Sequence, residues 1–298
     1  MPHRKAGARR KSDKTLVIIG GREEPDGAAT HEVVRRMGDG LLVIVTVATE
    51  FPDEYFEMYV RSLTKLGLGE PRQLSIRSRA EANDPGKLAV LDGATGVFFT
   101  GGDQLRITSQ LGDTPIQHRI QEIYDEGGLV AGTSAGAAAL CGTMLVRGRG
   151  FDSRRGNELR TTSGLGLIRG VVIDQHFSQR GRIARLLGAV ARNPRQLGLG
   201  IDENTAIVVE NAKSFYVVGA GAVYVIDGSQ VTSSNIADDL DESDALSIHG
   251  LKIHVLARGD SFDLTTRLPG EVSRREERRL DNVQSEVDAA RAGTDSED

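Results

Sequence analysis

Short apolar runs that stop at glycine set the architecture of this chain. Residues 16–19 run into Gly20-Gly21, residues 97–99 lead to Gly101-Gly102, and residues 129–131 run into Gly132. Runs this short, bounded by glycine turns, read as buried strands. Residues 41–47 read as another strand. Between them lie helical patterns. Residues 52–66 carry Phe56, Val60 and Leu63 at helical spacing before the stop at Gly67, and Ile116, Ile120 and Ile123 line one face of a segment that ends at Gly127-Gly128. Alternating strands and helices imply a mostly parallel sheet with helices on both faces. The style changes after about residue 199. Residues 206–209, 215–218, 223–226, 254–257 and 262–264 are short β-rich runs with glycine or polar breaks. They are expected to extend or flank the main sheet as antiparallel strands. No repeat of solenoid length is present.

Composition narrows the classes open to such a fold. With 298 residues, 39% hydrophobic and 27% charged, the chain can bury one large core or two smaller ones. Aromatics make up 4% and tryptophan is absent, so Val, Ile, Leu and Ala must build the interior. A net charge of -5 argues against a nucleic-acid partner. Cys141 is the single cysteine, which excludes an internal disulfide and fits a reducing, cytoplasmic compartment. The basic N-terminal segment lacks the apolar stretch of a signal peptide, and no segment reaches the roughly 20 apolar residues of a membrane span. The expected organisation is a disordered basic tail over 1–14, one α/β domain over 15–268, and a charged tail, helical or disordered, over 269–298.

Chemistry concentrates at Gly132-Thr133-Ser134-Ala135-Gly136. This G-x-S-x-G follows a strand and opens a small-residue helix, the setting of a nucleophile elbow. A sharp turn there lifts Ser134 out of the sheet. The following helix aims amide groups at the same spot, so the Ala135 amide is placed to meet a developing oxyanion. A serine hydroxyl needs a base. Of six histidines, His3 lies in the tail, His31 and His118 fall in charged helical patterns, and His249 and His254 lie in the β-rich part. His176 ends the strand-like run 171–176, and functional groups gather at such strand ends.

Further segments join these two. Gly101-Gly102-Asp103-Gln104, the elbow itself, Asp174-Gln175-His176-Phe177-Ser178-Gln179-Arg180-Gly181-Arg182 and Leu199-Gly200-Ile201-Asp202-Glu203-Asn204-Thr205-Ala206 together resemble the cyanophycinases. These are serine peptidases of the family that also contains aspartyl dipeptidase E. The resemblance runs from about residue 15 to about residue 264, and the 174–182 string is its most specific part. It implies an α/β fold of the class I glutamine amidotransferase-like or flavodoxin-like kind, with a β-rich C-terminal extension, and a homodimer.

The resemblance implies Ser134 as nucleophile, His176 as base and an acid between them in sequence. Asp152 stands where that acid is expected, within the unusually basic stretch 147–155; Glu158 and Asp174 are the alternatives. Gly102 joins Ala135 as an oxyanion donor. Gln104, Asp103, Asp174, Gln175, Arg180, Arg182 and Arg185 are the implied substrate-binding residues, the arginines for carboxylates. The alternative for Arg182 and Arg185 is a solvent-facing position. The implied substrate is cyanophycin, a poly-aspartate with arginine on each β-carboxyl, cut to β-Asp-Arg dipeptides. Small aspartyl or isoaspartyl dipeptides are a second reading, and a non-catalytic peptide-binding relative a third. No metal and no nucleotide cofactor is expected, since H-E-x-x-H, paired cysteines, P-loop and G-x-G-x-x-G are all missing.

Overall fold

A computed structural model describes residues 14–147, 159–236 and 245–270, together with Ser285. In chain order the strands are β1 (Thr15–Ile19), β2 (Leu41–Val45), β3 (Arg72–Leu74), β4 (Ala94–Phe99), β5 (Leu129–Thr133), β6 (Thr143–Arg147), β7 (Arg160–Ser163), β8 (Val171–Gln175), β9 (Leu197–Ile201), β10 (Thr205–Glu210), β11 (Ser214–Gly219), β12 (Val223–Asp227), β13 (Ser233–Ser234), β14 (Ile248–His249), β15 (Lys252–Leu256), β16 (Ser261–Asp263) and β17 (Leu268–Gly270). The helices are α1 (Ala28–Met37), α2 (Pro52–Lys65), α3 (Pro85–Leu88), α4 (Gln104–Leu111), α5 (Pro115–Asp125), α6 (Ala135–Ala139) and α7 (Ile183–Arg192).

Among the described residues, nine strands form a large sheet in the order β17-β16-β11-β10-β1-β5-β4-β2-β3. The five from β1 to β3 in that order run parallel. The C-terminal strands extend this sheet antiparallel, as their sequence style implied. A smaller sheet has the order β15-β12-β9-β8, with β8 and β9 parallel. Short links carry the polypeptide between the sheets at residues 202–204, 220–222 and 257–260. Asp202 N–H donates to Ala222 O at 3.2 Å and Ala220 N–H to Asn204 O at 3.0 Å, which tie the first two together.

The large sheet is buried on both faces, which is why β1 and β5 are unbroken apolar runs. Alternation along β1 sends Val17 and Ile19 towards Ala29 and Val33 of α1 and Tyr59 and Leu63 of α2. Leu16 and Ile18 join the opposite core with Ile107, Ile116, Ile120 and Ile123 of α4 and α5. That second core also takes in Val171, Ile173, Leu199 and Val225, the inner face of the small sheet. The outer face of the small sheet, with Val172 and Ile226, is covered by Leu186, Ala189 and Val190 of α7. Fully burying each such Leu or Val contributes roughly 1.5–3 kcal/mol. Lys14 is tied to Asn211 by backbone and side-chain bonds, because β1 pairs with β10 to its first residue, and β17 extends sheet pairing to Gly270.

Candidate active site

Four strands, two from each sheet, deliver their carboxyl ends to one place, where open α/β sheets bind ligands. Ser134 follows β5, Gly20-Gly21 follow β1, His176 follows β8, and Glu203 lies two residues beyond β9. Ser134 has φ 52 and ψ -111, a conformation unusual for a residue with a Cβ. The turn is held by its N–H donating to Ile19 O at 3.1 Å. A Cβ on Gly136 would sit 2.5 Å from Phe99 O, so only glycine lets α6 leave the sheet this closely.

His176 also has positive φ, 49, and its N–H donates to Gly20 O at 2.8 Å. Its Nε2 lies 2.8 Å from Ser134 Oγ and its Nδ1 lies 2.7 Å from Glu203 Oε1. A carboxylate can only accept, so Nδ1 carries the proton and bare Nε2 accepts the serine O–H. Glu203 N–H donates to Gln179 Oε1 at 3.1 Å, and Asp202 accepts the N–H and hydroxyl of Ser178 at 2.9 and 2.5 Å. These bonds clamp the loop after β9 to the loop after β8. Burial pushes the imidazole below its usual range. Glu203 pulls it upward, and the Arg180 and Arg182 charges push it further down.

The other expected residues take varied places. Asp152 and Glu158 lie outside the described residues. Asp174 faces away from the imidazole: it is fully buried and accepts from Arg182 Nη1 at 3.0 Å and from Arg185 Nε at 2.8 Å. Arg185 is buried rather than turned to solvent, and Arg182 also donates to Gln175 Oε1 at 2.9 Å. Desolvation brings the Arg182 guanidinium down to about 10. Two guanidiniums thus converge on one buried carboxylate. Arg180 is exposed beside His176. The Gly101-Gly102 turn runs past the nucleophile, with a Cβ on Gly101 placed 3.5 Å from Ser134 Cβ. Ala135 opens α6. Asp103 caps α4 through Leu105 N–H at 2.8 Å, and Gln104 donates to Leu145 O at 3.1 Å.

Glu203 was missed as a partner of His176, although its segment was recognised as part of the resemblance. The rule that picked out His176 did not reach it, because the run before it, 197–201, alternates leucine with glycine.

Comparison with known proteins follows the same line. The profile described as peptidase family S51 matches residues 35–217. A cyanophycinase of Geminocystis herdmanii is 33% identical over 86% of this chain and 95% of its own length. A cyanophycinase of Trichormus variabilis is 36% identical over 86% and 88% respectively. The crystal structure of a peptidase from an acI-B1 Actinobacterium superposes with a TM-score of 0.65, covering 85% of this chain and 98% of that one at 22% identity. No helix among the described residues is long and apolar enough to cross a membrane. The chain is a serine peptidase and belongs to peptidase family S51.

Proposed function

We propose that this protein hydrolyses cyanophycin to β-Asp-Arg dipeptides through an acyl-enzyme on Ser134. The observation that carries this reading is the unbroken Ser134–His176–Glu203 hydrogen-bond chain, in a protein 33–36% identical to cyanophycinases. Ser134 Oγ attacks the scissile carbonyl while its proton moves to His176 Nε2. Glu203 holds the Nδ1–H tautomer and stabilises the imidazolium. The tetrahedral oxyanion lies against the amides of Ala135 and Gly102. As it collapses, the imidazolium gives its proton to the leaving amine. Water then repeats the sequence on the acyl-serine and restores the hydroxyl.

The substrate offers carboxylates and guanidiniums side by side. In this reading Arg180, exposed beside His176, pairs with a substrate carboxylate. Arg182 and Arg185 shape the pocket through the cluster that holds Asp174, while Gln104, Asp103 and Gln175 supply polar edges. Mass spectrometry of products from purified protein and cyanophycin tests the proposal. β-Asp-Arg should appear with the wild type and fall by about 10⁴-fold or more in Ser134→Ala. Release of small aspartyl dipeptides alone would move the substrate to that class.

A further inference from the structure

The segment 20–24 touches His176, Glu203 and the residue before Ser134. Gly20 O accepts from His176 N–H at 2.8 Å, and Gly21 Cα lies against the imidazole face. Gly21 O accepts from Asn204 N–H at 2.9 Å, and Asn204 Oδ1 accepts from Glu24 N–H at 3.3 Å, next to Glu203. Arg22 Nε lies 3.5 Å from Glu203 Oε1. Backbone bonds hold the two buried glycines, Gly20 N–H also donating to Thr205 O at 2.9 Å, while Arg22 is exposed with φ 48. Glu23 adds a side-chain anchor beyond these backbone bonds. Its Oε2 accepts from Thr133 Oγ1 at 2.6 Å, the residue before the nucleophile, and its Oε1 accepts from Tyr59 O–H at 2.7 Å. Both donors are buried, and the Tyr59 ring packs on Phe98 with centroids 4.8 Å apart. One carboxylate thus ties the segment to β5 on one side and to α2 on the other.

We infer that Glu23 is a positioning residue: its two hydroxyl bonds hold segment 20–24 so that Gly20 and Gly21 set the imidazole against Ser134. The inference rests on the Ser134–His176–Glu203 reading. Glu23 touches no reacting atom and acts through the backbone of its neighbours. A glutamine can keep the tether, because its oxygen accepts one hydroxyl and its amide donates to the other. Alanine cannot.

The test measures the rate of Ser134 labelling by a fluorophosphonate on the full chain, across pH, with thermal unfolding recorded for each variant. Wild type should label and Ser134→Ala should not; failure there sinks the nucleophile reading itself. Glu23→Ala should label about 10-fold or more slowly, as sub-ångström to ångström misplacement does. Its acid limb should move to higher pH, because a loosened segment lets water reach the imidazole. Glu23→Gln should stay within about threefold of wild type. Tyr59→Phe and Thr133→Val should each slow labelling, and adding Glu23→Ala to their combination should cost little more. The tether is overturned if folded Glu23→Ala labels at the wild-type rate, if Glu23→Gln is as slow as Glu23→Ala, or if the acid limb stays in place. Should Glu23→Ala not fold, Tyr59→Phe decides, by slower labelling with a shifted limb or by neither.

Discussion

Adding a single methyl group at Gly21 should disable the base while leaving Ser134, His176 and Glu203 themselves unaltered. A Cβ built there lies 2.3 Å from His176 Cε1, 2.7 Å from Nε2 and 3.0 Å from Nδ1. Ordinary contact begins near 3.4 Å, so the ring must retreat by about 1 Å or the segment must shift by as much. Either motion opens the 2.8 Å Ser134–His176 bond. A displacement of that size lowers turnover about 100-fold, equivalent to about 2.7 kcal/mol of barrier. The backbone adds its own strain, because Gly21 has φ +100, a region costing a side-chain-bearing residue about 1–3 kcal/mol. In a domain of this size the melting temperature should fall by roughly 2–4 °C per kcal/mol. Steady-state kcat/KM for dipeptide release from cyanophycin, measured beside thermal unfolding, separates the two effects. A folded Gly21→Ala protein with wild-type kcat/KM would refute the claim that this glycine sets the imidazole.

Three other substitutions probe distinct parts of the site. Glu203→Gln should lower kcat by about 10⁴-fold, since an amide at Nδ1 no longer enforces the productive tautomer. Neutral His176 is the working base and burial lowers its pKa, so the acid limb of wild-type kcat/KM should lie below about 6.5. Glu203 raises that pKa, so the residual activity of Glu203→Gln should show a limb at still lower pH; an upward move would contradict the assignment. Asp174→Ala should destabilise the fold by about 3–5 kcal/mol, because it removes the buried carboxylate that both guanidiniums share, and calorimetry should show a melting point roughly 10 °C lower. Arg180→Ala should raise KM for cyanophycin several-fold at low ionic strength with little change in kcat. That difference should shrink with added salt, as screening predicts for an exposed charge. An unchanged KM removes Arg180 from substrate binding.

The legible parts of this protein were those with local signals. β5, the elbow and α6 could be read because an apolar run, a small-residue turn and an alanine-rich helix start are contiguous. His176 could be read because it closes an apolar strand. Glu203 was obscure because β9, Leu197-Gly-Leu-Gly-Ile201, looks too rich in glycine for a strand. Those glycines answer to distant partners: a Cβ on Gly198 would meet Val190 at 2.8 Å and Leu186 at 2.9 Å, and one on Gly200 would meet the Phe177 ring at 2.6 Å. Packing from α7 and from the residue beside the histidine made glycine necessary, and no window along the chain reveals that. The place of Asp174 was hidden similarly. Its carboxylate and the Arg182 and Arg185 guanidiniums are close in sequence, but only the return of α7 over the small sheet decides that they satisfy one another.

The nucleophile and its base belong to different sheets. His176 and Glu203 follow neighbouring parallel strands in fixed register, Gln175 opposite Ile201, and move as one body. Ser134 follows a strand of the other sheet. Slippage between the sheets spares the histidine–glutamate bond and strains the bonds that cross to the large sheet, the serine–histidine bond and the His176–Gly20 backbone bond among them. Turnover is therefore a gauge of how firmly the two sheets are docked. Mild denaturant that loosens their shared core should silence the enzyme while its circular dichroism is still native.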